Sequence, residues 1–336
     1  MSLSKEFWSG RPVLVTGATG LLGGWMVKRL RGLGATVVAL VRDGVPGSMA
    51  ARDGHLREIV CVYGSVTDAA LMRRVLAEYG IQTVIHLAAQ TLVGVAKNDP
   101  VTTLEVNVQG TWAILDAARQ MKNCQVLVAS SDKAYGDAVK LPYTEDHPLR
   151  GRYPYDVSKS CVDLIAGMYA TTYKLPVGIV RCGNLYGGGD LNFSRAIPGA
   201  IKSALAGEAF SIRSDGKFLR DYLYVEDAVD AYLTFAQKMA ADPALAGEGF
   251  NFSLEVQMTL LDLVKMIQEL AGGPIVPPVI HNIASDEIRE QYMSAEKARR
   301  VLRWHPKCNM EEGLSRTIAW YRAYLQQPAP VASKNA

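Results

Sequence analysis

The chain has 336 residues, 49% of them hydrophobic and 21% charged, with 36 Lys and Arg against 33 Asp and Glu. These proportions exclude a disordered chain, a collagen and a small disulfide-stapled scaffold, and leave room for one large domain or two moderate ones. A net charge of +3 gives no electrostatic basis for binding nucleic acid or an anionic membrane, so neither is expected as a partner.

Up to about residue 185, short β-branched runs alternate with longer helical patterns, the signature of a parallel sheet covered by helices. Strands are predicted at 13–15, 36–41, 58–63, 84–87, 126–129 and 177–181, and helices at 21–33, 112–121 and 158–173. Right-handed crossovers would wind them into a Rossmann-type doubly wound parallel sheet, a dinucleotide-binding domain over residues 1–185. Beyond it, Gly187-Gly188-Gly189 and Pro198 break the rhythm, so a smaller mixed α/β domain that binds substrate is expected over 186–325. A helical pattern at 223–236 suggests that the chain returns to the first domain around 221–250. Residues 326–336 lack any apolar period and are expected to form a flexible tail.

No apolar run approaches the roughly 20 residues that span a bilayer, and the first residues lack the apolar core of a secretory leader. A cytoplasmic address is therefore expected. Cys61, Cys124, Cys161, Cys182 and Cys308 form no C-x-x-C pair and no cluster with histidine, so they read as reduced thiols and no metal site is expected.

Thr16-Gly17-Ala18-Thr19-Gly20-Leu21-Leu22-Gly23 follows the first strand and opens the first helix. Glycine permits the tight turn, the close approach of backbone to a pyrophosphate and the packing of helix on strand, while free N–H groups at the helix start bind the anion. Gly17, Thr19, Gly20, Leu21, Leu22 and Gly23 are thus candidate cofactor residues. The second strand ends in Arg42 and Asp43. A carboxylate there suits the ribose 2′-hydroxyl of NAD and an arginine the 2′-phosphate of NADP, so NAD is the first choice and NADP stays open.

Tyr155 and Lys159 stand four apart at the start of a predicted helix and so share a face. An ammonium beside a phenol favours the phenolate, which is expected to draw the tyrosine toward neutrality and fit it to take a proton from an alcohol as hydride leaves carbon. Lys159 could also hold the nicotinamide ribose. Ser131 lies just beyond the strand at 126–129, at the end of the sheet where ligands sit, and can bond the reacting hydroxyl. His86 reads as a satisfied strand-end histidine and Trp304 as core.

Glycine loop, strand-end serine and Tyr/Lys pair together resemble the extended short-chain dehydrogenase/reductase family, the NAD-dependent epimerases and dehydratases that modify nucleotide sugars. The sequence Ser131-Asp132-Lys133 resembles the CDP-glucose 4,6-dehydratase branch, supported by Phe7-Trp8-Ser9-Gly10, Asn107-Val108-Gln109-Gly110-Thr111, the run from Gly183 to Asp190 and Trp304-His305-Pro306. The resemblance implies that NAD oxidises C4 of a hexose, after which Asp132 protonates the leaving C6 hydroxyl and Lys133 acts as the C5 base or its electrostatic partner. It also places Ser65, Val66, Leu87, Ala88, Ala89 and Asn107, with Tyr155 and Lys159, at the cofactor. Gln90, Asn184, Asn192, Arg195, Arg220 and Arg289 are placed at the nucleotide sugar, where guanidinium forks suit phosphate. Homodimerisation through the helices around Trp112 and Cys161 is likewise implied. Two departures stand out: Ser65 follows Gly64 where the family usually has aspartate, and Arg220-Asp221-Tyr222-Leu223-Tyr224-Val225 follows the general family rather than the CDP-glucose branch.

Three functions compete. The first is a nucleotide-sugar 4,6-dehydratase that forms a 4-keto-6-deoxy sugar. A 4-epimerase shares the first hydride step and needs no acid/base pair, and a non-catalytic dinucleotide-binding protein would use the fold alone.

Overall fold

Strands β1 (Pro12–Thr16), β2 (Thr36–Val41), β3 (Val60–Tyr63), β4 (Thr83–His86), β5 (Gln125–Ala129) and β6 (Val177–Cys182) run parallel in the first half of the chain. They are followed by β7 (Asn184–Tyr186), β8 (Ser211–Ile212), β9 (Leu219–Tyr224), β10 (Gly249–Phe252), β11 (Gln257–Thr259), β12 (Val279–Ile280) and β13 (Glu290–Gln291). The structure, a computed structural model, describes residues 3–45, 47–137, 140–283 and 288–326. β10 returns to lie parallel to β6, completing a seven-stranded sheet of order β10-β6-β5-β4-β1-β2-β3. The strand order reverses between β1 and β4, which opens a crevice beyond the strand C-termini at that point.

The helices are α1 (Lys5–Trp8), α2 (Leu21–Gly32), α3 (Met49–Arg52), α4 (Ala69–Glu78), α5 (Val93–Asn98), α6 (Pro100–Leu104), α7 (Gly110–Arg119), α8 (Pro154–Tyr173), α9 (Ala196–Ala206), α10 (Val225–Ala241), α11 (Leu260–Ala271) and α12 (Met310–Gln326). Alternate side chains of the central strands feed two cores. Val13, Val15, Val37 and Ala39 pack with residues of α2 and α10 on one face, and Leu14, Val38, Leu40 and Val84 pack with residues of α4, α7 and α8 on the other. Burial on both faces explains why these strands are apolar throughout.

A second lobe is built on β9, with β11 antiparallel to it and β7 and β13 parallel to it, beside a small parallel pair, β8 and β12. Ile197 and Ile201 of α9, Leu263 and Ile267 of α11, and Leu314 and Tyr321 of α12 form its core. No helix among the described residues is long and apolar enough to cross a membrane.

Several boundaries differ from the sequence reading. Residue 58, expected in the third strand, instead ends a 3-10 turn (His55–Glu58) that follows Gly54 in the left-handed region. Leu223 and Tyr224, expected to open a helix, belong to β9, and α10 starts at Val225. α8 begins a turn earlier than predicted, with Pro154 at its first position, where its lacking N–H costs nothing. Gln326, expected to open the tail, ends α12, and the rest of that segment lies outside the described residues.

Candidate active site

β1 ends at Thr16 and α2 begins at Leu21, so residues 17–20 carry the turn between them. Gly17 sits at φ +72°, and a Cβ there would come within 2.9 Å of the Ala88 nitrogen. A Cβ on Gly23 would overlap the Gly17 carbonyl oxygen, so loop and helix approach this closely only with glycine at that position. Gly20 is the N-cap of α2, and no side chain bonds the N–H groups of the first turn. Those donors and the positive end of the helix fit the diphosphate of a dinucleotide. Thr19 stands half-buried beside them, while Leu21 and Leu22 send their side chains into the second lobe's core and leave only their main chain for the anion.

A directed chain of hydrogen bonds fixes the neighbouring loop after β4. Thr16 Oγ1 accepts from the N–H groups of Leu87 and Ala88 at 3.1 and 3.0 Å, so its proton faces His86 Nδ1 at 2.9 Å. Thr111 Oγ1 donates to the Asn107 carbonyl at 2.6 Å, so it accepts from His86 Nε2 at 3.2 Å. Both ring nitrogens are thereby occupied by a neutral imidazole protonated at Nε2. Burial, with Lys159 adding, lowers His86 to about 3. His86 is thus a satisfied histidine at the end of β4, as the sequence suggests, and it ties the loop after β4 to Thr16 and Thr111.

Asn107 lies in a π-turn (Glu105–Gln109) between α6 and α7. Its Oδ1 accepts from Gln90 N at 2.7 Å, and its Nδ2 donates to Gln90 O and to Ser158 Oγ, at 3.0 and 2.9 Å. The side chain therefore holds the segment Leu87-Ala88-Ala89-Gln90 in place. Gln90 itself folds back, its amide bonding both main-chain groups of Leu92. Val66 is core, against Gly110 and the α4 face, so only its main chain can meet a cofactor. Ser65 Oγ is bonded to Thr67 Oγ1 at 2.8 Å. Arg42 and Asp43 pair with each other at 2.5 Å on the open rim of β2.

Ser131, Asp132, Lys133, Tyr155 and Lys159 meet beyond the end of β5. Ser131 caps a 3-10 turn (Asp132–Tyr135), accepting from Lys133 N at 3.2 Å and donating to Asp132 Oδ1 at 2.8 Å. It also lies close enough to the Tyr155 hydroxyl to oppose the rise of the phenol. Burial pushes the Asp132 carboxyl up, against the pull of Lys133, Ser131 and Arg220. Lys133 Nζ donates to Gln291 Oε1 at 2.5 Å. Lys159, one turn along α8 from Tyr155, is buried and donates to the Ala129 carbonyl at 2.7 Å, with Nζ 5.7 Å from the Tyr155 ring centroid. Burial lowers Lys159 to about 8.

One expectation is corrected here. Burial raises the Tyr155 phenol, and Asp132 adds to the rise, with Ser131 and Arg195 opposing it. The Lys159 ammonium is engaged by a carbonyl rather than the phenol oxygen and does not draw it down.

Apart from Gln90, the residues expected at the sugar nucleotide belong to the second lobe. Asn184 Nδ2 donates to the Asp221 carbonyl at 3.3 Å, and Asn192 Oδ1 caps the turn at Ser194. Arg195, the N-cap of α9, is held by Asp190 Oδ2 at 2.7 Å and the Leu185 carbonyl at 3.0 Å. The guanidinium carbons of Arg220 and Arg289 lie 5.5 and 5.2 Å from the ring centroid of Phe218, and Arg289 also bonds Asp215. Sequence reasoning missed Phe218, Asp156, Gln291 and the role of Asp221. Asp221 is buried and raised to about 7 by that burial, its Oδ1 without a partner among the described residues. An isolated glutamine or phenylalanine gives no pattern from which its place could be read. Trp304 packs edge-on against Phe252 in the core.

A parallel sheet with a glycine-cradled anion loop at its switch point, and a serine facing a tyrosine and a lysine one helical turn apart, defines an extended short-chain dehydrogenase/reductase. Within that class, the chain belongs to the GDP-mannose 4,6 dehydratase family, whose model matches residues 14–317. A CDP-glucose 4,6-dehydratase of Salmonella typhimurium is 29% identical, covering 96% of this chain and 94% of its own. A UDP-glucose 4-epimerase of Mycolicibacterium smegmatis is 32% identical over 92% of this chain and 98% of its own. The crystal structure of dTDP-glucose 4,6-dehydratase from Bacillus anthracis in complex with NAD superposes with a TM-score of 0.82 at 26% identity, covering 93% and 97% of the two chains.

Proposed function

We propose that the protein is a nucleotide-sugar 4,6-dehydratase of the CDP-glucose type, which turns a nucleotide hexose into its 4-keto-6-deoxy derivative and water. The observation that carries the reading is the buried carboxyl of Asp132 beside Lys133, hydrogen-bonded to Ser131 and close enough to Tyr155 to raise its phenol. NAD, when bound, supplies the acceptor for hydrogen at C4 and the donor for C6. Tyr155 must first ionise, against its burial, to take the O4 proton while Ser131 orients that hydroxyl; the positive nicotinamide ring of bound NAD would favour that ionisation. The resulting ketone acidifies C5–H. Lys133 in its neutral form removes the C5 proton and later returns it to that carbon, and Asp132, whose burial favours the protonated form, gives its proton to the departing O6 as the C6–O bond breaks. Arg195, Arg220 and Arg289, with Asn184 and Asn192, form the wall that faces the diphosphate and nucleoside.

The unpaired state of all five cysteines suits a reducing, cytoplasmic compartment. Exposed apolar residues on α7 and α8, Trp112, Leu164 and Met168, support a homodimer with these helices at its interface. A screen of CDP-, GDP-, UDP- and dTDP-hexoses for a 4-keto product absorbing in alkali identifies the substrate. Asp132→Asn is expected to keep reducing its cofactor on adding that substrate, while releasing product about 100-fold more slowly. Unchanged turnover in this variant would instead favour 4-epimerisation, which the match to the mycobacterial epimerase keeps as the second reading.

A further inference from the structure

Lys133 is held from two directions. Its main-chain N–H bonds Ser131 Oγ within its own turn, and its Nζ donates at 2.5 Å to Gln291 Oε1, 158 residues further along the chain. Gln291 is fully buried and sits on β13, opposite Arg220 of β9. The residues after it are clamped on their other edge: Tyr143 N donates to the Tyr292 carbonyl at 3.0 Å, and Ser294 N to the Tyr143 carbonyl at 2.9 Å. The amide is thus delivered by the second lobe to a residue of the first, on a strand that cannot slide.

Its orientation is forced. Gln291 Nε2 has no hydrogen-bond partner among the described residues, yet a flip to relieve it would set an N–H donor against the ammonium and lose the acceptor. The charge around Lys133 explains why an amide suits the place. Lys133 acts on Asp132 beside it and on Asp156 from the first turn of α8; Arg220 and Asp221 of β9 and Cys182 act on Asp132, and Tyr143 and Tyr155 feel both carboxyls. A glutamate at 291 would add a further carboxylate and hold the proton on Nζ. A glutamine accepts the hydrogen bond without adding charge.

We propose that Gln291 is a positioning residue for Lys133, fixing Nζ from the second lobe so that proton transfer at Lys133 depends on the two lobes being docked. The catalytic part of this statement rests on the dehydratase reading, and the hydrogen-bond part does not. With lysine labelled by 13C at Cε, an NMR titration of the whole protein reports Nζ protonation directly, the Lys133 signal being assigned by its loss in Lys133→Arg. Gln291→Leu removes an acceptor from the ammonium and is expected to lower the Lys133 midpoint, whereas Gln291→Glu adds an opposite charge and raises it, each by about one pH unit. The acid-side limb of the elimination, where the base gains its proton, should move in the same two directions, with kcat reduced about 10-fold and KM unchanged. If Gln291→Leu fails to fold, Gln291→Met makes the same comparison. Midpoints equal to that of the parent protein, or displaced in the same direction by both substitutions, would overturn the proposal. If the parent protein dehydrates no nucleotide hexose, the dehydratase reading falls, and the NMR midpoints still decide whether Gln291 governs Lys133.

Discussion

Lys159 has conflicting demands on it. The catalytic reading needs its ammonium next to Tyr155, but the side chain is 3% exposed and its charge is answered by the Ala129 carbonyl and the more distant Asp163. Burial takes it from 10.5 to about 8. Between those two values the unfolded chain holds a proton that the native protein has released, so stability rises as pH climbs through that window. Below it the full cost, on the order of 3 kcal/mol, weighs on the folded state. Lys159→Met should therefore abolish turnover and yet melt a few degrees higher than the parent protein at pH 7, with the gap closing toward pH 10. Calorimetric scans across that range check it, and a variant less stable at pH 7 would show that the Ala129 bond outweighs the buried charge.

At the scale of one element, α2 contains two glycines with opposite meaning. Gly23 faces the loop, where a methyl would overlap the Gly17 carbonyl, whereas Gly32 in the last turn is exposed with nothing within 4 Å of an added Cβ. Gly23→Ala is expected to cost on the order of 2 kcal/mol and to leave the purified protein without bound dinucleotide. Gly32→Ala should instead stabilise by about 0.5–1 kcal/mol and retain it. Denaturant titration and the absorbance of nucleotide released on unfolding separate the two. The contrast also shows what local sequence conveys. The loop glycines, the Tyr155–Lys159 spacing and the strands from β1 to β6 each declare themselves over a few neighbouring residues. The seventh strand, Gly249–Phe252, does not, because its place is set by pairing with β6 some 70 residues earlier. Asn107 could be assigned to the cofactor loop but not to its actual work of tying that loop to α8. The charge on Tyr155 was misjudged for a related reason: spacing reports that a lysine is near, and burial, which decides the sign, is a property of the packed molecule.

In the whole molecule, α8 joins the candidate active site to the proposed dimer face. Its first turns carry Tyr155 and Lys159 into the crevice, and further along the same helix Leu164 and Met168 are exposed, next to Trp112 on the adjoining α7. Leu164 is 64% exposed, and α5 and α6, which lead into α7, expose Val93, Val95 and Val101 as well. A two-fold contact would place this surface against its own copy, so one substitution acts on both sides of the interface. Leu164→Glu sets two like charges into that contact and is expected to convert a dimer to a species with the mass of one chain, measured by sedimentation at micromolar concentration. In the proposed dimer, association stabilises the fold by mass action, so the parent protein's melting temperature should rise with concentration and the variant's should not. If the parent protein already sediments as one chain, the exposed face of α7 and α8 has some other purpose. If the variant stays dimeric, the copies meet elsewhere, and the helix that carries the tyrosine and lysine is free of any partner.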